Sequence, residues 1–385
     1  MAIKGPPPAV PTACTNRPLP QTHVIRVATG EDARDVADWD RLAARAAEPN
    51  PFFESWYLAP SLAALDPRGR VRCLRFEVDG ELAGLLPVAR HGRYYRWPAP
   101  NLSSWVHENC FLGAPLVMAG LERPFWQALL GWADRHCGVA LFLHLRAMPL
   151  EGALYRALAD LCRDTGRELA LVHDEERALL QSDLPPGEYF DASLSGKKRK
   201  ELRRQFARLE ELGQLRMERL NDVTGLDRWI DDFLSLEAAG WKGRAGSALA
   251  SHPATAMLFR EGLKGAAGHG RLERLSLSLD ARPIAMLANF LTPPGAFSYK
   301  TAFDEDYARF SPGVLLQREN LAMLQREGIA WADSCAAADH PMINHIWRQR
   351  RAIGRISIAI GGKPRRAIFR RIARAELARR ARHAG

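Results

Sequence analysis

Residues Ser298–Asp333 read SYKTAFDEDYARFSPGVLLQRENLAMLQREGIAWAD, and they lay out a strand, a loop, a helix and a second strand. Phe297–Phe303 alternates as a strand, which predicts Tyr299 on one face and Lys300 on the other. Ser311-Pro312-Gly313 opens a helix over Pro312–Glu327. Proline at the first turn has its φ preset and gives up no needed donor, and Ser311 stands where an N-cap belongs. The N–H groups of Gly313, Val314 and Leu315 at the positive end of that helix predict an anion-friendly pocket, the requirement for holding a pyrophosphate. An ordinary capped helix fits the same letters. Ile329–Asp333 closes the stretch as a strand.

Upstream of this stretch the same order of elements is read twice. In the second half, Ser195–Leu212 is a helix with Leu202, Phe206 and Leu209 on one stripe. Gln214–Leu220 is a strand, Asp227–Ala239 and Pro253–Gly265 are helices, and Arg271–Leu279 and Ile284–Leu291 form a hairpin. His340–Gln349 and Gly354–Ile360 follow as a short helix and a last strand. In the first half, His23–Thr29 is a strand, and Asp32–Ala47 and Phe52–Leu65 are helices. Val71–Val78 and Glu81–Arg90 pair across the turn dipeptide Asp79-Gly80. An irregular aromatic stretch spans 91–115, then come helix Glu122–His136, strand Val139–Leu145, helix Leu150–Thr165 and strand Glu168–Val172. Leu184-Pro185-Pro186-Gly187 reads as a linker. The expected organisation is therefore a disordered Pro-rich lead (1–22), an N-terminal lobe (23–183), a C-terminal lobe (188–362) and a basic tail (363–385). The fold class is α/β, with a mixed sheet and flanking helices in each lobe.

Composition narrows the function. With 47% hydrophobic and 25% charged residues over 385 positions, the chain is globular and large enough to bury a core without staples. The apolar runs are far below the ~20 residues of a membrane span, and the opening residues carry no secretory pattern. Six cysteines make no CxxC pair and no zinc-finger spacing, so reduced thiols in the cytosol are expected. The net charge is +10, but residues 363–385 hold nine Lys/Arg against one acid, so the body is near neutral. The tail reads either as a solvated helix, dispensable for folding, or as a contact for anionic lipid or RNA. G-x-S-x-G, H-E-x-x-H and the P-loop are missing, and His340 and His345 stand five apart. No metal is expected.

Several segments in order resemble the GNAT acyltransferase superfamily in its duplicated FemABX-like branch. More narrowly, they resemble the BioF-type or CelD-like acetyltransferase domain. These are SGKKRKELRRQFARLEELG, FLSLEAAGWKGRAGSAL, SLSLDARPIAMLANF, YKTAFDEDYARFSPGVLL and GIAWADSC, spanning about residues 190–335. The resemblance implies two tandem GNAT-like lobes and an N- or O-acyltransferase. The reaction it implies moves an acyl group, acetyl above all, from acyl-CoA to an amine or hydroxyl of a cell-envelope or polysaccharide precursor. It would run in the cytoplasm or at the inner face of the membrane, with the tail touching anionic lipid. Ser311, Gly313, Val314 and Leu315 are expected at the donor phosphates; at the chemistry, Asp304, Asp306 or Asp333 is the candidate proton acceptor and Tyr299 or Tyr307 the candidate donor, with the resemblance pointing to Asp304, Lys300 and Tyr307. Lys197, Arg199, Lys200 and Arg203 on the basic helix, with Trp241 and Lys242 in a Gly-flanked loop, are expected to hold substrate. One departure bears on the donor. Classical members cover the pyrophosphate with Q/R-x-x-G-x-G/A, whereas here Ser311 stands where the earlier glycine would fall. FemABX-type relatives use aminoacyl-tRNA, which is the second donor class. The remaining alternative is a non-catalytic membrane-peripheral scaffold.

Overall fold

The structure is a computed structural model that describes residues 22–28 and 36–384. The Pro-rich lead lies outside the described residues, apart from Thr22, as does the start of the first predicted helix. One continuous mixed sheet of 13 strands runs through the molecule. Its strands in chain order are β1 (His23–Ala28), β2 (Arg72–Val78), β3 (Glu81–His91), β4 (Asn101–Ser104), β5 (Leu116–Val117), β6 (Phe142–Pro149), β7 (Leu169–Leu180), β8 (Leu215–Leu220), β9 (Leu272–Leu279), β10 (Arg282–Thr292), β11 (Gly295–Phe303), β12 (Trp331–Asp333) and β13 (Gln349–Ala359). The helices are α1 (Val36–Ala44), α2 (Ser55–Leu65), α3 (Glu122–His136), α4 (Gly152–Asp164), α5 (Pro186–Ser193), α6 (Gly196–Glu210), α7 (Leu226–Ala239), α8 (Trp241–Arg244), α9 (Pro253–Gly268), α10 (Pro312–Asn320), α11 (Ile343–Ile346) and α12 (Lys363–Ala384).

The strand order β1-β2-β3-β4-β6-β13-β7-β12-β11-β10-β9-β8 repeats itself from both edges inward. Each half contributes an antiparallel meander, then a parallel neighbour: β4 beside β6, and β11 beside β12. The last strand of each half is exchanged. β13 pairs with β6, β7 pairs with β12, and the two exchanged strands pair with each other at the centre. The duplicated GNAT-like architecture is therefore present as two interlocked halves rather than as two separate sheets.

Local chemistry explains most elements. Asn50 caps the turn Pro51–Phe53 by accepting from the Phe52 N–H at 3.0 Å, and Ser195 caps α6 by accepting from the Lys198 N–H at 3.3 Å. The Asp79-Gly80 turn has φ of 50° and 88°, the left-handed pair that a two-residue hairpin needs.

Five expectations are corrected. The predicted linker is partly helix, because Pro186 begins α5. Helix 312–327 ends at Asn320 and tightens into a 3-10 turn, Leu321–Gln325. The strand expected at 168–172 runs on to Leu180, and that at 354–360 begins at Gln349. The basic tail is packed structure. Phe369 is buried with its ring 5.4 Å from Phe142, Arg370 pairs with Glu168, and Arg380 pairs with Asp174. Among the described residues no helix is long and apolar enough to cross a membrane.

The halves also share a core. Phe52, Trp56 and Tyr57 of the N-terminal half pack against Phe290, Phe297 and Tyr299 of the C-terminal half, with ring centroids 4.9–6.3 Å apart. Each buried aromatic contributes about 1.5–3 kcal/mol by burial alone. The seam between the halves is therefore part of one continuous hydrophobic core.

Candidate functional site

β11 and β12 pair only from Gly295–Phe297 to Trp331–Asp333. β11 then continues to Phe303, with a free edge on that side, so the sheet splays open after Phe297. The register against β10 jumps between Ala288 and Asn289, which face Lys300 and Ser298, and Tyr299 is the extra residue of a β-bulge. Bulges re-aim side chains, and this one corrects the expected alternation. The Lys300 Nζ lies 5.7 Å from the Tyr299 ring centroid and 5.1 Å from that of Phe111, which comes from the N-terminal half. Both β11 side chains therefore serve the seam between the halves.

Lys300 has unusual electrostatics. Burial, aided by the neighbouring Lys242 ammonium, pushes its pKa down to about 8, against a partial upward pull from Glu237. Among the described residues no carboxylate lies within ion-pair distance of it. Glu237 is already committed, accepting from Lys242 Nζ at 2.8 Å and from the Leu249 N–H at 2.7 Å. Beneath Lys300, the Tyr57 hydroxyl donates to the Asn109 carbonyl at 2.6 Å and lies 2.9 Å from the Tyr299 hydroxyl. With the Tyr57 proton so used, Tyr299 must be the donor to Tyr57. The phenols thus form a closed chain across the seam, and burial pushes both pKa values up.

His107 completes the wall. Its ring stacks on Tyr57 at 6.2 Å, and its Nδ1 accepts from the Asn109 N–H at 3.3 Å, which leaves the proton on Nε2. Burial, then the Lys300 and Arg146 charges, drop its pKa to about 3, so it is neutral at physiological pH. Behind the splay, Asp333 is fully buried. It accepts from Arg351 Nη1 at 3.1 Å and from the Cys335 N–H at 2.9 Å, and it lies 3.6 Å from Arg177 Nη1. This network ties β12 to the exchanged strands. Among the described residues no group of three or more His, Cys, Asp or Glu is arranged to hold a metal.

A parallel pair that separates partway along, built twice in one sheet and bulged in β11, sets the frame for comparison with known proteins. Residues 196–340 match the acetyltransferase (GNAT) domain family. The match covers less than half of the chain, so it is the C-terminal half that carries a GNAT-like domain. Three solved structures share the fold. FemX has 11% identity over 88% of this chain and 98% of its own, with a TM-score of 0.56. The C-terminal domain of an Agrobacterium fabrum protein described as a lysylphosphatidylglycerol synthetase has 14% identity over 88% and 95%, with a TM-score of 0.53. A conserved protein of unknown function from Bacteroides thetaiotaomicron has 11% identity over 84% and 97%, with a TM-score of 0.54. Identities this low carry the fold alone. No curated protein matches the chain in sequence.

Within the GNAT domain, the residues expected from sequence fall into separate groups. Lys300 and Lys242 come together, and Trp241 lines a cleft with Lys242 and Thr301–Phe303, where its N–H donates to Glu305 Oε1 at 2.6 Å. Gly243 makes the tight turn from α7 into α8 feasible, since a Cβ there would sit 1.8 Å from the Ala238 carbonyl oxygen. Asp304 turns elsewhere. It accepts from Arg282 Nη2 at 2.7 Å and caps the following 3-10 turn through the Asp306 N–H at 3.0 Å. Tyr307 packs beside Phe310, with centroids 6.5 Å apart.

The donor loop differs from its expected geometry. Ser311 has φ 56° and makes no side-chain cap. Its carbonyl accepts from the N–H groups of Val314 at 2.9 Å and Leu315 at 3.2 Å, which leaves only Gly313 with a free N–H in that turn. Leu315 is the fourth residue past the cap, so its N–H belongs to the ordinary intrahelical ladder. On α6, Arg199 is spent on the Leu194 and Asp191 carbonyls, while Lys197, Lys200 and Arg203 are exposed. Arg199, Arg203 and Arg318 rim a cavity of about 330 Å³ between α5, α6 and α10. Sequence reasoning missed His107, Phe111 and Tyr57. The polar run His107-Glu108-Asn109 inside an aromatic loop is the signal that could have found them.

Proposed function

We propose that the chain transfers an acyl group from acyl-CoA to an amine or hydroxyl of a cell-envelope or polysaccharide precursor, at the splay between β11 and β12. Lys300 carries this reading, as an unpaired, half-buried ammonium with a pKa near 8 at the mouth of the splay. When a nucleophile attacks a thioester carbonyl, negative charge develops on the carbonyl oxygen and then on the departing sulfur. An ammonium in a low-dielectric wall stabilises the first, and its proton can neutralise the second. A thiol has a pKa of about 8.5, so proton transfer from a group near 8 is almost balanced. The nucleophile's own proton leaves to solvent or to a base on the acceptor side. The free edge of β11 beyond Phe297 offers main-chain groups to an extended donor arm, and Trp241 and Lys242 wall the opposite side. Ser311 and Gly313–Leu315 remain the proposed donor-phosphate turn, with Gly313 supplying the free N–H.

A second donor has a specific observation behind it. The exposed Lys197, Lys200 and Arg203 of α6, next to the cavity rimmed by Arg318, form a polycationic face that suits aminoacyl-tRNA. Calorimetry with CoA, acyl-CoA and bulk tRNA separates the two. CoA binding supports the thioester, salt-sensitive tRNA binding alone supports the second donor, and binding of neither removes the transferase reading. An acyl-CoA panel followed by mass spectrometry of an envelope-precursor fraction then identifies the acceptor.

A further inference from the structure

Three arginines converge on a cavity of about 460 Å³ in the N-terminal half, where β4 and β6 separate beyond Ser103 and His144. Loop 106–111 roofs it, and the exchanged strands β7 and β13 floor it, with Arg355 facing His173 and Arg351 facing Arg177 in the register. Arg177 is committed, since its Nη1 donates to the Phe111 carbonyl at 2.7 Å and it lies 3.6 Å from both Glu175 and Asp333. Arg146 and Arg355 are not. Arg146 Nη1 donates to the Val106 carbonyl at 2.8 Å, and Arg355 Nη1 meets the Tyr95 hydroxyl at 3.2 Å. Among the described residues neither has a carboxylate within ion-pair distance.

Glu108 and Glu175 also line the cavity, but neither lies within ion-pair distance of Arg146 or Arg355, and two guanidiniums so placed are each desolvated and repelled by the other. The Arg146 pKa is accordingly held below the usual arginine value, by burial and then by Arg355. An oxyanion between them would reverse both penalties. Two cationic forks match the double charge of a phosphate monoester or diphosphate better than the single charge of a carboxylate. The volume lies within the ~300–1,000 Å³ of small-ligand sites, which leaves room for a sugar- or nucleoside-sized body beside the anion. The cavity also adjoins the proposed chemistry, because His107 and Phe111 line it and Lys300 stands over the Phe111 ring.

We propose that Arg146 and Arg355 bind the phosphoryl group of a small phosphorylated ligand, which is the acceptor in the transfer. The assignment as acceptor rests on the transfer reading, whereas the binding site does not. The test therefore measures binding without turnover. Inorganic pyrophosphate and glucose 1-phosphate are titrated calorimetrically into the full chain at low salt, and vesicles containing phosphatidic acid are sedimented with it in parallel. Arg355→Gln should weaken binding in the responsive arm about tenfold or more, and Arg146→Gln likewise. Arg163→Gln, on the exposed face of α4, should leave pyrophosphate binding unchanged. Thermal melting of each variant confirms that it folds, and Arg355 is the safer change because its one described hydrogen bond goes to an exposed tyrosine. An Arg355-dependent signal with the soluble phosphates assigns a free metabolite, and one confined to vesicles assigns a lipid headgroup. Binding in neither arm, or equal binding by the folded Arg355→Gln and Arg146→Gln proteins, overturns the site. Loss of transfer on Lys300 substitution bears on the transfer reading alone.

Discussion

The sheet opens twice, in the same way and with different contents. Where β4 leaves β6 it opens onto a wide cavity with Arg146, Arg177 and Arg355 on its walls. Where β11 leaves β12 it opens onto one lysine held among aromatic rings, beside a cleft of only about 40 Å³ under α8. The backbone device is shared: a short parallel pairing with diverging ends. The side chains divide the labour, with charge and space on one side and a tuned titrating group on the other. They meet at loop 106–111, whose Phe111 touches both. A duplicated fold can thus hold one site that neither half contains alone.

The strongest way to break this picture is to separate the halves. A chain of residues 188–362 lacks β7, so β12 and β13 lose their central partners and the Asp333 network loses Arg177. That fragment should show no cooperative melting transition by circular dichroism. A sharp transition would mean that the halves are independent and that the seam is incidental.

Next comes Lys300. Lys300→Met should lower turnover about 10²–10⁴-fold, the usual contribution of a positioned proton donor. In the parent protein, activity should fall as pH rises through about 8, because the ammonium form is lost, and Lys300→Arg should move that fall upward. Stability runs the other way. The folded pKa lies below the unfolded value of 10.5, so the unfolded chain binds more protons between about 8 and 10.5, and stability rises with pH across that window. Lys300→Met should remove this slope. A slope that persists in the variant would assign it to another group.

Removing α12 should act through packing. Truncation after Gly362 exposes Phe142 and deletes Phe369, which costs about 3–5 kcal/mol on the scale of losing a buried phenylalanine. An unchanged melting temperature would return residues 363–385 to the status of a free tail.

Tyr57→Phe sharpens the seam itself. It removes the acceptor for the Tyr299 hydroxyl and the donor to Asn109, and it should cost about 1–3 kcal/mol in denaturant titrations. The smallest effect is expected at Asp304→Ala, about 0.5–2 kcal/mol from the lost cap. A loss of turnover there as large as that of Lys300→Met would bring Asp304 back into the chemistry.

Much of this architecture is legible locally. Asn50-Pro51, Ser195 and Asp79-Gly80 specify their caps and turn through contacts within a few residues, so position along the chain suffices. The central strands are not legible in that way. β7 contains His173-Asp174-Glu175-Glu176-Arg177, and β13 contains Gln349-Arg350-Arg351, runs that alone read as loop. They are strands because Arg351 and Arg177 meet Asp333 inside the sheet and because Arg355 and Glu175 line a cavity, so their charges have partners or space. Local rules fail where the chain builds a site, since polar residues there answer to distant groups.

The sequence by itself determined the duplicated order of helices and strands, the strand that carries Tyr299 and Lys300, and the basic faces of α6 and α12. It did so because periodicity, caps and turns are set by neighbours in the chain. Tertiary structure decided the exchange of β7 and β13, the bulge that turns Lys300 toward Phe111, and the pairing of Tyr57 with Tyr299 across 242 positions. It also decided the value near 8 for Lys300. Each of these depends on what a side chain meets after folding, and a charge acquires its pKa from the groups that displace its water.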